Sequence, residues 1–234
     1  MKTKENTIPL PQGSTPPKEY WFGQLKSVCH DACHTRHACA EGYRQMLECE
    51  DVGQMMATWR ANWDDLVRSK YADILRQRLP QLYPSIKAEM NAAGVYLNEC
   101  PENAQKFVKV IVTDCTAPVH IYGHAEAYVL GAATVTAHDH AQVYNYSAAD
   151  AYIILVDDSF GQAWAGRITA MGRSSVHCCC QCTLNGSVIC ITAGGTVDVL
   201  CFRYITASGD AVVRCAPHRN IHLLGNARLE DPSV

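Results

Sequence analysis

The residues best suited to chemistry lie together in the segment CHDACHTRHAC, which spans positions 29–39. Thiolate sulfur and imidazole nitrogen are donor atoms that Zn²⁺ prefers. On a helix, His30, His34 and His37 would share one face, and Cys29 and Cys33 an adjacent one. The segment therefore predicts a zinc site formed by two or three of these side chains. Because the spacing is not that of a zinc finger or ribbon, buried small cysteines beside a solvated histidine face are the competing interpretation.

A second group of cysteines, Cys178, Cys179, Cys180 and Cys182, also has the composition of a metal or redox site. In a strand, Cys178, Cys180 and Cys182 would point one way and Cys179 the other. Inward cysteines would fill positions that alanine fills earlier in the chain, so we favour core packing over metal or redox chemistry. The chain has 13 cysteines, an odd number, and no export signal, so reduced thiols are expected.

The tripeptide His138-Asp139-His140 contains residue types found in catalytic sites. The alternation described below directs both histidines outward, and it places Asp139 in a turn, where aspartate bonds its own backbone. Catalysis on a β-helix would need clustered carboxylates in a groove. The remaining outward acidic residues have no diagnostic spacing: Glu126, Asp150, Asp157 and Asp158. Because nucleotide-binding, Walker, nucleophile-elbow and HExxH motifs are also missing, a protein without enzymatic activity is favoured.

The elements that position these residues follow from a strict alternation between Ile121 and Ala165. One parity is small or apolar, and the other is polar or aromatic, which is the periodicity of strands. The region also divides into blocks of eight residues with alanine at the second position of each. The blocks are HAEAYVLG (124–131), AATVTAHD (132–139), HAQVYNYS (140–147) and AADAYIIL (148–155). Since eight is even, a turn between blocks keeps the same parity facing inward.

Small inward residues suit a narrow core in which coils stack about 4.8 Å apart, so we predict a β-solenoid with two blocks in each coil. The alternative is an antiparallel meander, which normally has Asn-Gly or Asp-Gly hairpins and bulkier inward residues. A 16-residue coil would stack Tyr128, Tyr144 and Phe160 into an outward ladder, and His124 over His140. These five side chains are a candidate ligand-binding stripe for sugars or flat ligands. Alternatively, the ladders only stabilise the outer face.

The sequence before the solenoid predicts a poorly ordered, proline-rich tail at residues 1–18 and a helical domain at residues 19–104. The solenoid domain follows at residues 105–234. The predicted fold class is therefore α+β: a small N-terminal helical domain followed by a β-solenoid, similar to a β-helix, of short alternating strands.

Within the helical domain, apolar residues recur at helical spacing over residues 19–49. Asp51 with Gln54 resembles a capping box that opens a second helix. Pro80 and Pro84 are expected to break that helix, so that a third helix begins after them and ends before Gly94.

The Ala-x-Val-x-Ala-x-(Gly/Asp) repeat behind a short helical domain resembles a group of uncharacterised bacterial and phage or mobile-element β-solenoid proteins. The resemblance covers residues of about 105 to 230 and the segment CAEGYRQMLE at 39–48. It implies the solenoid fold but no catalytic residue. The chain departs from a clean repeat after Gly161, so its later coils are expected to be less regular.

The bulk composition disfavours several classes of function. The 234 residues are 48% hydrophobic and 18% charged, with a formal net charge of −3, so no basic excess points to nucleic acid or anionic lipid. The sequence has no apolar run of the length that spans a bilayer. The opening MKTKENTIPLPQGSTPP lacks the apolar region of a secretory signal, so the cytoplasm is the expected location.

We therefore expect a non-enzymatic structural or interaction protein that presents a rigid solenoid surface to a protein partner. A carbohydrate-binding or carbohydrate-active β-helix protein is one alternative, and a zinc-binding regulatory protein is another; zinc is the only cofactor considered. A solenoid exposes a strand edge at each end. The helices can cap one end, and the other end, near residues 222–229, is expected to self-associate or be covered by the tail.

Overall fold

A computed structural model describes residues 17–35, 40–68, 70–146, 151–186, 188–215 and 218–230. Its helices precede its strands. The helices are α1 (Lys18–Thr35), α2 (Ala40–Glu48), α3 (Val52–Ala61), α4 (Trp63–Arg68) and α5 (Lys70–Ala92). The strands are β1 (Val95–Leu97), β2 (Lys109–Val112), β3 (Val119–Ile121), β4 (Glu126–Val129), β5 (Thr134–Ala137), β6 (Gln142–Asn145), β7 (Tyr152–Leu155), β8 (Phe160–Ala163), β9 (Arg167–Gly172), β10 (Ser175–Cys178), β11 (Gln181–Gly186), β12 (Ile189–Thr192), β13 (Thr196–Cys201), β14 (Tyr204–Ala207), β15 (Val212–Arg214), β16 (Ile221–Leu223) and β17 (Arg228–Glu230).

The strands form two parallel sheets with a narrow core between them. Sheet A has the order β1-β2-β4-β6-β8-β10-β12-β14-β16, and sheet B has the order β17-β15-β13-β11-β9-β7-β5-β3. From β2 onward, consecutive strands alternate between the sheets, so each coil contributes one strand to each. Parallel pairing along both sheets, as between β4 and β6 and between β5 and β7, confirms the two-block solenoid and excludes the meander.

The core confirms the predicted parity, because the small or apolar side chains of the alternating region are buried between the sheets. They include Ala125, Ala127, Val129, Ala133, Val135, Ala137, Ala141, Val143, Ile153, Leu155 and Ala163. Side-chain sizes also match across the core. Gly161 lies against Leu155, whose Cδ1 atom would be only 2.7 Å from a Cβ atom at residue 161. A large residue on one sheet is thus accommodated by the absence of a side chain on the other.

Two groups of residues that suggested chemistry occupy structural positions. Asp139 lies in a corner with φ of 55°, which confirms the predicted turn. Its Oδ2 atom accepts a hydrogen bond at 3.1 Å from the Gly123 amide of the preceding coil, however, and not from its own backbone as predicted. Cys178, Cys180 and Cys182 are buried in the solenoid core, as the packing interpretation requires.

The coils are not uniform in length, and this changes the predicted stacking. Tyr128 lies opposite Tyr144, as a 16-residue coil requires. The next coil is longer, because six residues separate β6 from β7 where four separate β4 from β5. Phe160 therefore lies opposite Gln142, and Gln162 takes the place opposite Tyr144. The three-ring ladder in register was wrong at Phe160.

The helical region differs from its prediction at three places. The second predicted helix, which was expected to run from Asp51 to Pro80, is divided into α3, α4 and the first half of α5. The helix expected over residues 19–49 is two helices, α1 and α2, and the predicted tail lies outside the described residues except for positions 17 and 18. α5 continues through Pro80 and Pro84 instead of ending there. Each proline removes one helical hydrogen bond, but α5 packs its apolar face against the other helices and the solenoid, which offsets that loss. Its buried side chains include Leu75, Leu79, Leu82, Ile86 and Met90.

The predicted capping box and helix end are confirmed. Asp51 accepts a hydrogen bond from the Gln54 amide at 2.8 Å, and the Gln54 side chain accepts one from the Glu50 amide at 2.9 Å. Gly94 follows α5 with φ of 75°, the left-handed conformation in which glycine is favoured.

The helices lie against the outward face of the first strands of sheet A. Leu97, Ile111 and Tyr128 of this face are buried in one apolar cluster with Trp59 and Met90 of the helices. The helical layer thus covers a side of the solenoid and is not confined to its end. None of the described helices is both long and apolar enough to span a membrane.

Candidate functional site

The predicted aromatic stripe begins under the helical layer. The Tyr128 and Tyr144 rings stack with centroids 5.2 Å apart, which confirms this step of the ladder. Trp63 of α4 packs edge-on against Tyr128, also at 5.2 Å, and leaves Tyr128 only 5% exposed. Phe160 stays half-buried, tilted at 5.9 Å from Tyr144. Tyr128 therefore joins helices to sheet and has no surface to offer to a sugar.

The electrostatics of Tyr128 fit this joining role. Burial raises the pKa of its hydroxyl far above the usual range, and the hydrogen bond that it donates to Glu126 raises this pKa further. Lys109 forms an ion pair with Glu126, and its ammonium group lies 5.9 Å from the Trp63 ring and 5.6 Å from the Tyr128 ring. Together, Trp63, Tyr128, Lys109 and Glu126 hold the helical layer to sheet A through both apolar and charged contacts.

The predicted histidine stack is confirmed in geometry. His124 and His140 are exposed, and their rings are stacked with centroids 5.0 Å apart. A neighbouring stack was not predicted from the sequence. There His120 Nδ1 lies 3.1 Å from His138 Nε2, and the Tyr122 ring lies 4.9 Å from that of His138. The pairs His124–His140 and Tyr122–His138 have the 16-residue spacing of the coil, whereas His120 lies opposite Thr136 and contacts His138 diagonally.

The predicted zinc residues of α1 are only partly described. The Cys29 thiol is buried in the helical core and donates a hydrogen bond to the Met55 sulfur at 3.8 Å, whereas His30 is exposed beside the Tyr43 ring. The side chains of Cys29 and His30 therefore lie in different environments. The side chains of Cys33 and His34, and the whole of His37, lie outside the described residues. The zinc site of this segment stays a prediction.

Beyond the helical layer, sheet A presents an uncovered surface that sequence analysis did not identify. We call it the open face, and it consists of the outward side chains of β8, β10, β12, β14 and β16 together with Trp164 at the corner after β8. Its members are Phe160, Gln162, Trp164, Ser175, His177, Ile189, Ile191, Tyr204, Thr206 and His222. Large apolar groups are exposed here: Trp164 by 57%, Ile191 by 45% and Tyr204 by 37%.

The open face is also uncharged. The five strands that form it contain no Asp, Glu, Lys or Arg. The outward side of sheet B differs, since Asp198, Arg214 and Glu230 lie in register along it, with Arg214 3.7 Å from Asp198 and 3.4 Å from Glu230. Alternating charges of this kind keep a sheet surface hydrated and discourage association. The two faces of one solenoid therefore have opposite surface chemistry.

The open face continues to the last coil. Among the described strands, β16 and β17 each have a sheet neighbour on one side only. Leu223 occupies an inward position there, opposite Ala207, yet it is exposed, and Leu224 beside it is exposed as well. By contrast, Val95 and Leu97 of the first strand are buried. Of the seven large apolar side chains that are exposed among the described residues, five lie on the open face or at the C-terminal end, and the other two are Leu47 and Phe107.

The open face was not predicted, because its residues form no motif of reactive groups in the sequence. The available signal was the absence of charge from every second strand after Phe160, and it becomes visible once strands are assigned to sheets.

Comparison of the chain with family models, with curated proteins and with solved structures finds no match.

Proposed function

We propose that this chain is a non-enzymatic structural protein that assembles through its open face, and that the partner on that face is a second copy of the chain. The observation that carries the proposal is the uncharged, aromatic-rich surface of five neighbouring strands on one side of a rigid solenoid. The centre of a protein interface is depleted of charged residues and enriched in aromatic ones. Single exposed apolar residues need no explanation, but a contiguous patch does.

The absence of charge favours a second copy over a different protein. In a two-fold symmetric contact, residues near the axis meet their own copies, so any charge there would face a like charge. A surface without Asp, Glu, Lys or Arg avoids this repulsion, and two such sheets can pack face to face about 10 Å apart. Trp164 and Tyr204 supply the large rings that anchor interfaces of this kind.

The dimensions fit the core of a dimer interface. Five strands at about 4.8 Å spacing, each with about four residues at 3.3 Å, give a face of roughly 24 by 13 Å, or about 310 Å². That area is smaller than the roughly 800 Å² that each partner contributes to a standard interface. The open face would therefore form the apolar centre, and the polar corners around it would form the rim.

The test is the oligomeric state of the full chain, measured by light scattering coupled to size-exclusion chromatography over a wide concentration range. Ile191→Lys places a charge at the centre of the open face and should convert the dimer to a monomer. The matched control is Ile154→Lys, because Ile154 lies on the outward side of sheet B, where charged residues are already present. This control should leave the dimer intact.

A dimer that Ile191→Lys dissociates and Ile154→Lys does not would support the proposal. A strict monomer at every concentration would overturn it and leave the open face to a different protein. A dimer unaffected by Ile191→Lys would show that the copies meet elsewhere. Far-ultraviolet circular dichroism of both variants, with unchanged strand content, would show that the result does not come from misfolding.

A further inference from the structure

Three cysteine sulfur atoms converge inside the solenoid core. The Sγ atoms of Cys178, Cys182 and Cys190 all lie within 4.8 Å of one another, and all three side chains are buried. Two thiolates bound to one metal ion through bonds of about 2.3 Å are separated by roughly 3.8 to 4.6 Å. The three thiols are therefore placed so that small rotations would bring each one into contact with a single ion.

The strands explain why these residues meet. Cys178 ends β10 in sheet A, Cys182 lies near the start of β11 in sheet B, and Cys190 belongs to β12, the next strand of sheet A. This coil is short, because Ser175 pairs with Ile189 only 14 positions later. The short coil carries Cys190 to a position diagonal to Cys178, so ligands come from three different strands. A site held by three strands of a solenoid is rigid, as metal sites require.

The surroundings hold one further thiol. Cys180 is buried in the same core, two positions along the chain from both Cys178 and Cys182, and its thiol interacts with that of Cys178. Thr192 lies in register with Cys178 on the next strand and is buried as well.

A shallow cavity of about 190 Å³ lies on the open face near this cluster and is lined by Trp164, His177, Ile191, Cys178 and Cys179. Cys178 thus borders the cavity as well as the buried sulfur cluster.

We propose that Cys178, Cys182 and Cys190 bind one thiophilic metal ion, Cu(I) or Zn(II), inside the solenoid core. Soft thiolate ligands select these ions over Mg²⁺, Ca²⁺ and Mn²⁺, which prefer oxygen. Three thiolates complete a trigonal site for Cu(I). Zn(II) prefers four ligands in a tetrahedron, so it would recruit Cys180 as the fourth. Both ions would replace protons in a cluster that is otherwise a set of buried thiols.

The test uses the full chain, purified with a reductant and stripped with a chelator. Cu(I) and Zn(II) are titrated separately in competition with a chromophoric chelator, and each binding curve should end at one equivalent per chain. Co(II) substituted for Zn(II) should give an intense thiolate-to-metal charge-transfer band whose intensity reports the number of sulfur ligands. This reading is made on the native chain and therefore does not depend on the folding of any variant.

The informative variant is Cys178→Ala. Its in-register neighbour in the preceding coil is Ala163, so the core already accepts a methyl group at that place. The matched control is Cys215→Ala, which removes another buried cysteine of the same core. Since the loss of a supporting contact alone weakens metal sites 10- to 100-fold, Cys178→Ala should weaken binding by at least about 100-fold, and Cys215→Ala should leave it unchanged.

Cys180→Ala separates the two ions, because it should weaken Zn(II) and leave Cu(I) unaffected. If neither ion reaches one equivalent on the reduced chain, or if the Co(II) band indicates fewer than three sulfur ligands, the proposal is wrong. Binding that survives Cys178→Ala but disappears in Cys29→Ala would place the metal in the segment of α1 instead.

Discussion

The packing of Leu155 against Gly161 predicts that Gly161→Ala lowers the stability of the native chain but raises the stability of a chain that carries Leu155→Ala. In the native chain, Gly161→Ala places a methyl group 2.7 Å from Cδ1 of Leu155, a side chain that is fully buried. Overpacking of this kind costs about 1–3 kcal/mol. The lower entropy of the unfolded chain returns about 0.4–1 kcal/mol. The net effect should be a destabilisation of about 1 kcal/mol.

The same substitution should stabilise a chain that already carries Leu155→Ala. That change alone costs about 2–5 kcal/mol, because it leaves a cavity between the sheets. The added methyl group then meets no obstruction and fills part of the cavity, so Gly161→Ala should gain about 1 kcal/mol. The coupling between the two sites is about 2 kcal/mol, which lies within the range for residues in contact.

The assay is urea unfolding at equilibrium, followed by circular dichroism, of the native chain, both single variants and the double variant. The control is Gly194→Ala, because no atom lies within 4 Å of a Cβ atom there, and its effect should add to that of Leu155→Ala. The packing account would be refuted if Gly161→Ala had the same effect in both backgrounds. If the free energy of unfolding falls with urea concentration at a similar slope in all variants, the same unfolding transition is measured in each of them.

Two further predictions concern corners and joints of the structure. Asp139→Ala should cost about 1–2 kcal/mol, because it removes the acceptor of the Gly123 amide and replaces aspartate, which tolerates the left-handed region, by a residue that tolerates it less well. Asp139→Gly should cost less, and the ranking of the two midpoints of thermal unfolding checks this. At the joint between α5 and the solenoid, Arg76 donates a hydrogen bond to Asp114 and so lowers the pKa of the Asp114 carboxyl group. The pair therefore stabilises the fold at pH values above the ordinary carboxyl pKa. This contribution is lost as the pH falls through the lowered pKa of the folded chain. Asp114→Asn should therefore cost about 0.5 kcal/mol or less at neutral pH, since the pair is half-exposed, and nothing in strong acid; a difference that grew on acidification would contradict the assignment.

Much of the solenoid could be predicted because alternation fixes which side chains face inward. Ala127 and Val143 are buried, and Tyr128 and Tyr144 stack, as the coil of sixteen requires. The prediction failed at Phe160 because alternation does not fix the length of a coil. Two extra residues leave the same side chains facing inward, but they shift each residue of β8 by two positions relative to its partner on β6. The two extra residues lie between β6 and β7, before Leu155, so the fading turn signal at Leu155 did not mark their position.

The helical boundaries and the two proposed sites were harder to predict because they depend on contacts between distant residues. Pro80 and Pro84 lie inside α5 since its packing outweighs their cost. The convergence of Cys178 and Cys190 requires the register of two particular strands, and their sequence separation alone does not indicate it. The open face requires strands to be sorted between two sheets before its lack of charge can be seen.

Sedimentation equilibrium decides whether two copies of the chain meet through the open face. The measurement compares the dimer dissociation constant of Ile191→Lys with that of Ile154→Lys. A two-fold interface carries each substitution twice, and burying an unpaired charge costs more than about 1.4 kcal/mol, or tenfold in affinity, at each copy. We predict that Ile191→Lys weakens the dimer by at least about 100-fold and that Ile154→Lys leaves it within about twofold of the native chain. Equal dissociation constants for the two variants would contradict the account.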